Sequence, residues 1–219
     1  RMRHFSEIAA RLLRLILTGL CRLWTGVRTH WVGCSPAPLP RIYFANHSSH
    51  MDGLVIWTGL PSELRERTSL VAAKDYWEST PLRIWLTSRV FRTVLVERGR
   101  TPQGRGRRTG RHPLDGPVSI LQRGESLILF PEGTRHAGED IRPFRSGLYH
   151  LAKMCPEAEL VPVYLDNFYR VLPKGCRLMV PILCSVIIGA PLRLEARENR
   201  RDFLERMKEA LEQLKAGNT

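Results

Sequence analysis

The stretch RIYFA at residues 41–45 is followed without a break by NHSSHMD at residues 46–52. A short apolar run that ends in polar, turn-forming residues predicts a buried strand followed by a loop. In open α/β sheets, ligands bind where the strands end. Residues 46–52 are therefore the first candidate site.

The same alternation of short apolar runs and helical stretches continues along the chain. Further strands are predicted at Ser69–Ala73, Arg92–Glu97, Ser126–Phe130 and Leu160–Leu165, with one or two more within Arg177–Gly189. Helices are predicted at Gly53–Leu60, Tyr76–Phe91, Pro117–Arg123, Ser146–Met154 and Glu195–Lys215. This alternation predicts an α/β fold with a mixed, largely parallel sheet that is flanked by helices.

The charge of the chain is unevenly distributed. The 219 residues include 34 basic and 21 acidic side chains, for a formal net charge of +13. Residues 1–30 contain six arginines and one glutamate, and residues 98–111 contain six arginines and no acid. The remainder is nearly neutral. Such basic segments bind phosphate, which is found in nucleic acid, anionic membrane surfaces and phosphorylated substrates.

The five cysteines are scattered and form no C-x-x-C pair. This pattern excludes a disulfide framework and a cysteine zinc site, and it predicts a reducing, cytosol-facing location.

The N-terminal segment 5–28 has the pattern of an amphipathic helix. Arg11, Arg14, Thr18 and Arg22 form one stripe, and leucines and isoleucines cover the broad opposite side. The arginines interrupt the roughly 20 apolar residues that a transmembrane span needs. Two interpretations remain: a membrane-interface helix with its arginines at lipid phosphates, and a helix docked on the protein's own core. The breadth of the apolar side favours the first. We therefore divide the chain into a membrane-association segment, 1–35, and a globular domain, 36–219.

Residues 46–52 can bring a histidine and an aspartate together. On a continuous helix, His47 and Asp52 would point about 140° apart. They can meet when His47 lies in a turn and Asp52 lies in the first turn of the following helix. Ser48 or Ser49 would then cap that helix. Asp52 would accept a hydrogen bond from one imidazole nitrogen and make the other a stronger base, suited to deprotonating a hydroxyl.

Two other interpretations of these residues stay open. One is a cap-forming turn without any chemistry. The other is a metal site built from His47, His50 and Asp52, for which the sequence shows no evident fourth ligand.

A second candidate site, FPEGTR at residues 130–135, begins where the strand Ser126–Phe130 ends. Gly133 allows a tight turn with exposed N–H groups, Thr134 adds a hydroxyl, and Arg135 adds a bidentate fork for phosphate. The segment is a plausible anion cradle. The alternative is an ordinary loop with a glutamate–arginine pair.

The two segments together resemble the glycerolipid acyltransferase family. His47-x-x-x-x-Asp52 is followed about 80 residues later by FPEGTR, as in the 1-acylglycerol-3-phosphate (lysophosphatidate) acyltransferases. The stretch FRTVLVER at residues 91–98 is similar to the family's strand that ends in a phosphate-binding arginine. LVPV at residues 160–163 is similar to its apolar, proline-containing block. The Arg-rich loop after residue 98 departs from the family pattern and leaves the acceptor headgroup open.

The resemblance implies that residues 36–219 are an acyltransferase domain. It would transfer a fatty acyl group from acyl-CoA or acyl carrier protein to the hydroxyl of a lysophospholipid. The resemblance favours lysophosphatidate as the acceptor, which the reaction would convert to phosphatidate. His47 would be the general base and Asp52 its orienting partner, with no acyl-enzyme, metal or cofactor. The residues implied to shape the acceptor's phosphate site are Arg98, Glu132, Gly133, Thr134 and Arg135. Membrane phospholipids would be partners, and the protein would lie peripherally or monotopically on the cytoplasmic face of the cell membrane.

Three alternatives remain beside this prediction. The Arg-rich loop 98–111 is also typical of a nucleic-acid-binding protein, but it lacks aromatic residues that stack on bases. An acyltransferase that uses a different lysolipid acceptor is a second alternative. A catalytically silent lipid-binding relative is the third, and the presence of both His47 and Asp52 counts against it.

Overall fold

The computed structural model describes residues 12–13, 15–23, 26–49, 51–73, 92–96, 112–135, 140–166 and 184–217. In this part of the chain the strands are β1 (Arg28–Trp31), β2 (Arg41–Ala45), β3 (Thr68–Ala73), β4 (Val94–Val96), β5 (Ser126–Leu129), β6 (Glu159–Asp166) and β7 (Ser185–Ile188). The helices that pack around them are α1 (Asp52–Gly59), α2 (Ser62–Glu66), α3 (Asp115–Gln122), α4 (Gly147–Met154) and α5 (Arg200–Ala216).

The strands form one mixed sheet in the order β1-β7-β6-β2-β5-β3-β4. The β6–β7 pair is antiparallel, and the other neighbouring pairs are parallel. The predicted α/β class with a mixed, largely parallel sheet is therefore confirmed. Strand β2 is a central strand that lies between β6 and β5. The loops that follow both neighbouring strands can therefore reach the carboxyl end of β2.

Helices cover both faces of the sheet, which explains why every residue of β2 is buried. Successive side chains of a strand point to opposite faces. Ile42 and Phe44 belong to the core cluster that includes residues of α3, α4 and α5. Tyr43 and Ala45 belong to a second cluster with residues of α1 and α2. The two faces thus have separate hydrophobic cores.

Most predicted elements match the observed ones to within two residues at each end. The terminal helix, predicted at Glu195–Lys215, instead begins at Arg200. The reason is a cap: Asn199 Oδ1 accepts hydrogen bonds from the backbone N–H groups of Arg201 and Asp202 at 2.9 and 3.1 Å. The predicted helix Tyr76–Phe91 lies outside the described residues.

Two short elements, β1 and α2, were not predicted. Strand β1 lies inside the segment 1–35 that the sequence analysis assigns to membrane association, yet it pairs in parallel with β7. It is an edge strand whose residues are exposed or half-buried, so it lacks the apolar signature of the central strands. The sheet therefore begins before residue 36, while the division of the chain at that residue stays a prediction.

An N-terminal helical segment, residues 12–13 and 15–23, packs its polar side against the protein. Thr18 and Cys21 are buried. Arg65 Nη1 donates a hydrogen bond to Thr18 Oγ1 at 3.2 Å, and Arg22 Nη2 donates to the carbonyl of Thr58 in α1 at 3.2 Å. The Arg65 guanidinium also lies 5.3 Å from the ring centroid of Trp57. Polar contacts thus dock this segment onto α1 and α2.

The opposite, apolar side of the same segment faces outward. Its exposed residues are Leu12, Leu15, Ile16, Leu20 and Leu23, with exposed fractions from 47% to 83%. The favoured interpretation of the sequence pattern predicts that the stripe containing Thr18 and Arg22 faces lipid phosphates. The structure instead turns these two residues toward the protein, because they satisfy polar groups of Arg65 and Thr58. Among the described residues, no helix is long and apolar enough to span a membrane.

Candidate active site

The two candidate segments meet at one edge of the sheet because β2 and β5 are parallel neighbours. Phe44 pairs with Leu129, so the residues that follow both strands emerge side by side. The backbone N–H of His47 donates to Glu132 Oε1 at 2.9 Å, across 85 residues of chain. The spatial association of the two segments is therefore a direct consequence of strand order.

Asn46 ties the end of β2 to its other neighbour. Its Oδ1 accepts from the backbone N–H of Leu165 at 2.8 Å, and its Nδ2 donates to the carbonyl of Leu165 at 3.1 Å. The side-chain amide of Asn46 thus continues the pairing of β2 with β6 by one more pair of hydrogen bonds. This fixes the position from which the following turn departs.

His47 and Asp52 are brought together as the sequence predicts. His47 Nδ1 lies 2.9 Å from Asp52 Oδ2. The Asp52 side chain is fully buried, whereas the His47 side chain is 20% exposed. Because the ionised carboxylate only accepts hydrogen bonds, Nδ1 carries the proton in the neutral ring, and the lone pair is on Nε2. The imidazole therefore has an oriented base nitrogen on an accessible ring.

The turn between these residues is organised by Asp52 and not by the serines. The backbone N–H groups of Ser48 and Ser49 donate to Asp52 Oδ2 at 2.7 and 2.8 Å. The predicted cap by Ser48 or Ser49 is wrong: the N-cap of α1 is Met51, without a side-chain cap. Ser49 Oγ accepts from the N–H of Met51. The backbone before α1 folds toward the Asp52 carboxylate, and the serines contribute their backbone N–H groups as hydrogen-bond donors.

Phe130 holds the imidazole from one side. The ring centroids of Phe130 and His47 are 4.1 Å apart, with an interplanar angle of 15°. This stacking and the hydrogen bond to Asp52 together restrict both torsions of the histidine side chain. Phe130 is the first residue of the FPEGTR motif, but the sequence pattern does not predict its part in the site.

Glu132 is buried next to the backbone of His47, and its exposed fraction is only 5%. Besides the His47 N–H on Oε1, its Oε2 accepts from the backbone N–H of Arg142 at 3.3 Å. Burial raises the pKa of Glu132, and the two backbone hydrogen bonds oppose that rise. Both carboxylate oxygens are thus occupied by backbone donors. The geometry fits a residue that joins two loops better than one that touches a phosphate.

The turn at Gly133 makes room for an arginine that the sequence analysis does not identify. Gly133 has φ +74°, and its N–H is donated to the carbonyl of Phe130 at 3.1 Å. That donor is therefore internal to the turn, unlike the exposed N–H groups expected from the sequence. A Cβ at this position would be 2.5 Å from Arg145 Nε and 2.7 Å from Arg145 Cδ.

Arg145 is fastened to this turn at two points. Its backbone N–H donates to the carbonyl of Pro131 at 2.8 Å, and its Nε donates to the carbonyl of Glu132 at 3.3 Å. The segment that leads into α4 is therefore strapped across the FPEGTR turn. Sequence spacing carries no signal for this contact, because Arg145 lies 13 positions after Glu132 in the chain.

The remaining predicted site residues are placed as follows. Thr134 is exposed and Arg135 is half-buried. Arg98 and His50 lie outside the described residues, as does the loop 98–111. Among the residues that are described, no group of three histidine, cysteine, aspartate or glutamate side chains is arranged to hold a metal ion.

Residues 33–166 match the family model described as Acyltransferase. Curated relatives include 1-acyl-sn-glycerol-3-phosphate acyltransferase alpha of Homo sapiens, 26% identical over 189 residues, with 84% of this chain and 62% of the relative covered. A 1-acyl-sn-glycerol-3-phosphate acyltransferase of Limnanthes alba is 32% identical over 76 residues, which cover 35% of this chain and 27% of the relative. The chain thus spans about three fifths of the length of the human relative.

Among solved structures, the 1-acyl-sn-glycerophosphate acyltransferase PlsC of Thermotoga maritima is similar, with a TM-score of 0.67 and 20% sequence identity. The match covers 96% of this chain and 83% of that one. At this identity the similarity shows a common fold.

Glu132→Gln tests the joint between the two loops. The glutamine amide can accept only one of the two backbone N–H groups, so the other loses its partner inside the protein. We expect the free energy of unfolding in urea to fall by about 1–3 kcal/mol. Glu157→Gln, at an exposed position, is the matched control and should change it by less than about 0.5 kcal/mol. Equal stability of the two variants would contradict the double acceptor role.

Proposed function

Since the chain belongs to the acyltransferase family, we propose that it transfers a fatty acyl group from a thioester to the free hydroxyl of a lysophospholipid. The match of residues 33–166 to the Acyltransferase family model confirms the family resemblance inferred from the sequence. We propose lysophosphatidate as the acceptor and phosphatidate as the product, a step of phospholipid biosynthesis. The donor is acyl-CoA or acyl carrier protein and is consumed as a substrate. The observation that carries the proposal is the His47–Asp52 pair, with Nδ1 and Oδ2 2.9 Å apart.

In the proposed reaction, His47 Nε2 removes the proton from the acceptor hydroxyl. The hydroxyl oxygen then forms a bond to the thioester carbonyl carbon, and the carbon–sulfur bond breaks. The proton passes from the imidazolium to the leaving thiolate. Asp52 stabilises the imidazolium that forms in between, because its charge lies in a buried site where electrostatic interactions are strong.

The surroundings of the histidine support direct transfer. The His47 ring forms a hydrogen bond with Asp52 through Nδ1 and stacks on Phe130. In the described part of the chain, neither contact brings a serine or cysteine nucleophile to Nε2. This nitrogen is therefore available to the acceptor hydroxyl, and an acyl-enzyme is not needed.

The proposed anion cradle, residues 133–135, directly follows Glu132, whose side chain accepts a hydrogen bond from the His47 N–H. We propose that Arg135 and Thr134, together with Arg98, bind the phosphate of the acceptor, as the family resemblance implies. Gly133 shapes the turn. Glu132 serves by positioning the turn of His47 and not by contacting the negatively charged phosphate, which it would repel.

The direct test is an acyl-transfer assay on the full chain with lysophosphatidate, other lysophospholipids and glycerol 3-phosphate, each with acyl-CoA and with acyl carrier protein. We expect phosphatidate from lysophosphatidate, and a His47→Ala variant should lose about 10²–10⁴ in kcat, the usual contribution of general-base catalysis. His150→Ala, at an exposed position of α4, is the matched control. A folded His47→Ala variant with full activity would refute the mechanism, and transfer to another lysolipid alone would change the acceptor.

Asp52→Asn separates the charge of the orienting partner from its hydrogen bond. The N–H groups of Ser48 and Ser49 should keep an asparagine oxygen at the position of Oδ2, so the bond to His47 survives without the negative charge. We expect kcat to fall about tenfold, the difference between a neutral and a charge-assisted hydrogen bond. Asp52→Ala, which removes the bond as well, should approach the loss of His47→Ala. Equal kcat values for the two Asp52 variants would contradict this division.

We also propose that the protein lies on the cytoplasmic face of a membrane, attached peripherally or monotopically by its N-terminal helical segment. The support is the row of outward-facing leucines and isoleucine, the most exposed of which are Leu15 and Leu23. A helix that docks through Thr18 and Arg22 and exposes its apolar side is suited to the acyl-chain boundary of a bilayer. The basic residues of segment 1–30 would add attraction to anionic lipids.

Leu15→Asp combined with Leu23→Asp tests this attachment. Burying one leucine contributes about 1.5–3 kcal/mol, so the double substitution should abolish binding to vesicles of phosphatidylcholine and phosphatidylglycerol. Activity on a detergent-dispersed acceptor should remain. Met154→Asp, at a position of α4 that is 46% exposed, is the matched control and should bind normally. Vesicle binding by the double variant in a flotation assay would contradict the proposed surface.

A further inference from the structure

We propose that Arg145 is a further substrate-binding residue that contacts the phosphate of lysophosphatidate. The inference rests on the proposed function and extends it to a side chain outside the FPEGTR motif. It is drawn from the way in which the turn at Gly133 accommodates the Arg145 side chain.

The position of the Arg145 side chain is defined by its contacts with the turn at residues 131–133, which we call the seat of Arg145. The side chain fills the space that a Cβ at residue 133 would occupy, and its Nε is held by the carbonyl of Glu132. The backbone N–H of the same residue is fixed on Pro131. An exposed arginine on a protein surface ordinarily samples many rotamers. Here, the hydrogen bonds of the backbone N–H and of Nε, together with the space left open at Gly133, restrict where the guanidinium lies.

The outer edge of this guanidinium is available to a ligand. A guanidinium has five N–H donors, and Nε uses one of them. Within the described chain, the four donors on Nη1 and Nη2 have no hydrogen bond or ion pair to protein groups, and the residue as a whole is exposed. Two parallel N–H groups of an arginine match two oxygens of a phosphate. The seat therefore presents a preformed phosphate fork.

The position of the fork favours the acceptor over the donor. Glu132 holds Arg145 with its backbone carbonyl and holds the N–H of His47 with its side chain. Lysophosphatidate carries its reacting hydroxyl and its phosphate ester on neighbouring carbons, so a hydroxyl at His47 brings the phosphate close. The phosphates of CoA are separated from the thioester sulfur by the long pantetheine arm. Of the two phosphate sources, the acceptor fits this spacing.

The experiment compares Arg145→Ala and Arg145→Lys with the parent chain on lysophosphatidate and on monoacylglycerol, which has no phosphate. We expect kcat/KM for lysophosphatidate to fall roughly ten- to a hundredfold in Arg145→Ala, mainly through KM, as for the loss of a hydrogen bond to a charged group. The kcat/KM for monoacylglycerol should fall much less, so that the preference for lysophosphatidate over monoacylglycerol is largely lost. The lysine variant should recover part of the loss, because it restores charge without the fork. Arg201→Ala, at an exposed position of α5, controls for net charge.

A second arm tests the seat itself. Gly133→Ala places a methyl group against Arg145, so it should reproduce the loss of preference for lysophosphatidate. In an Arg145→Ala background the same change should cost little more, because the clash is gone. Additive losses would overturn the proposed coupling. The melting temperature of each variant separates this effect from the strain of a non-glycine residue at positive φ.

Equilibrium binding decides the proposal independently of turnover. Dispersed lysophosphatidate and monoacylglycerol are titrated into the parent chain and into Arg145→Ala. Loss of discrimination between the two lipids in the variant supports the role of Arg145, even if the parent shows no acyl transfer and the proposed function fails. Wild-type affinity of Arg145→Ala for lysophosphatidate would overturn it. A rise in the KM for acyl-CoA that disappears with dephospho-CoA, with no change in the acceptor KM, would assign the arginine to the donor and also overturn it.

Discussion

One carboxylate oxygen, Asp52 Oδ2, accepts three hydrogen bonds and thereby organises the candidate site. It binds the N–H groups of Ser48 and Ser49 and Nδ1 of His47, all within 2.9 Å. An ionised carboxylate in a fully buried position is costly unless donors surround it. The chain supplies three donors to Oδ2 by folding the turn back over the first residue of α1, whereas Oδ1 has no hydrogen-bond partner in the described part of the chain. The histidine is one of these donors, so the fold of this turn also brings His47 within reach of Asp52.

The second half of the site depends on the first through Glu132. Parallel pairing of β2 and β5 puts the two loops side by side, and the buried glutamate then bonds to the backbone of His47 and of Arg142. Its own carbonyl holds Arg145. A single residue thus connects the proposed base with the arginine segment. This connection explains why an acidic side chain occurs within the motif that we propose to bind phosphate: both of its carboxylate oxygens accept hydrogen bonds from buried backbone N–H groups.

The sequence predicts the sheet and the His47–Asp52 pair because both depend on local signals, namely short apolar runs and polar residues directly after a strand. Contacts between distant residues leave no such signal. The bond of Glu132 to the His47 N–H involves a backbone group, which every residue has, and the seat of Arg145 depends on the absence of a side chain at Gly133. The N-terminal helix shows the same limit. Periodicity separates its polar and apolar sides, but Arg65 and Thr58, distant in sequence, decide which side is docked. The edge strand β1, half exposed, has too little apolar pattern to be recognised.

The docking of that helix also links the proposed membrane surface to the proposed chemistry. Arg22 binds the carbonyl of Thr58 near the end of α1, and Asp52 begins the same helix. Six residues of α-helix separate the two positions by about 9 Å along the axis. The exposed leucines and the histidine–aspartate pair are therefore connected through one short, buried helix. In the proposed membrane-bound state, lipid contact fixes the height of the site relative to the acyl-chain boundary. A lysophospholipid acceptor could then reach His47 with its headgroup while its acyl chain remains in the bilayer.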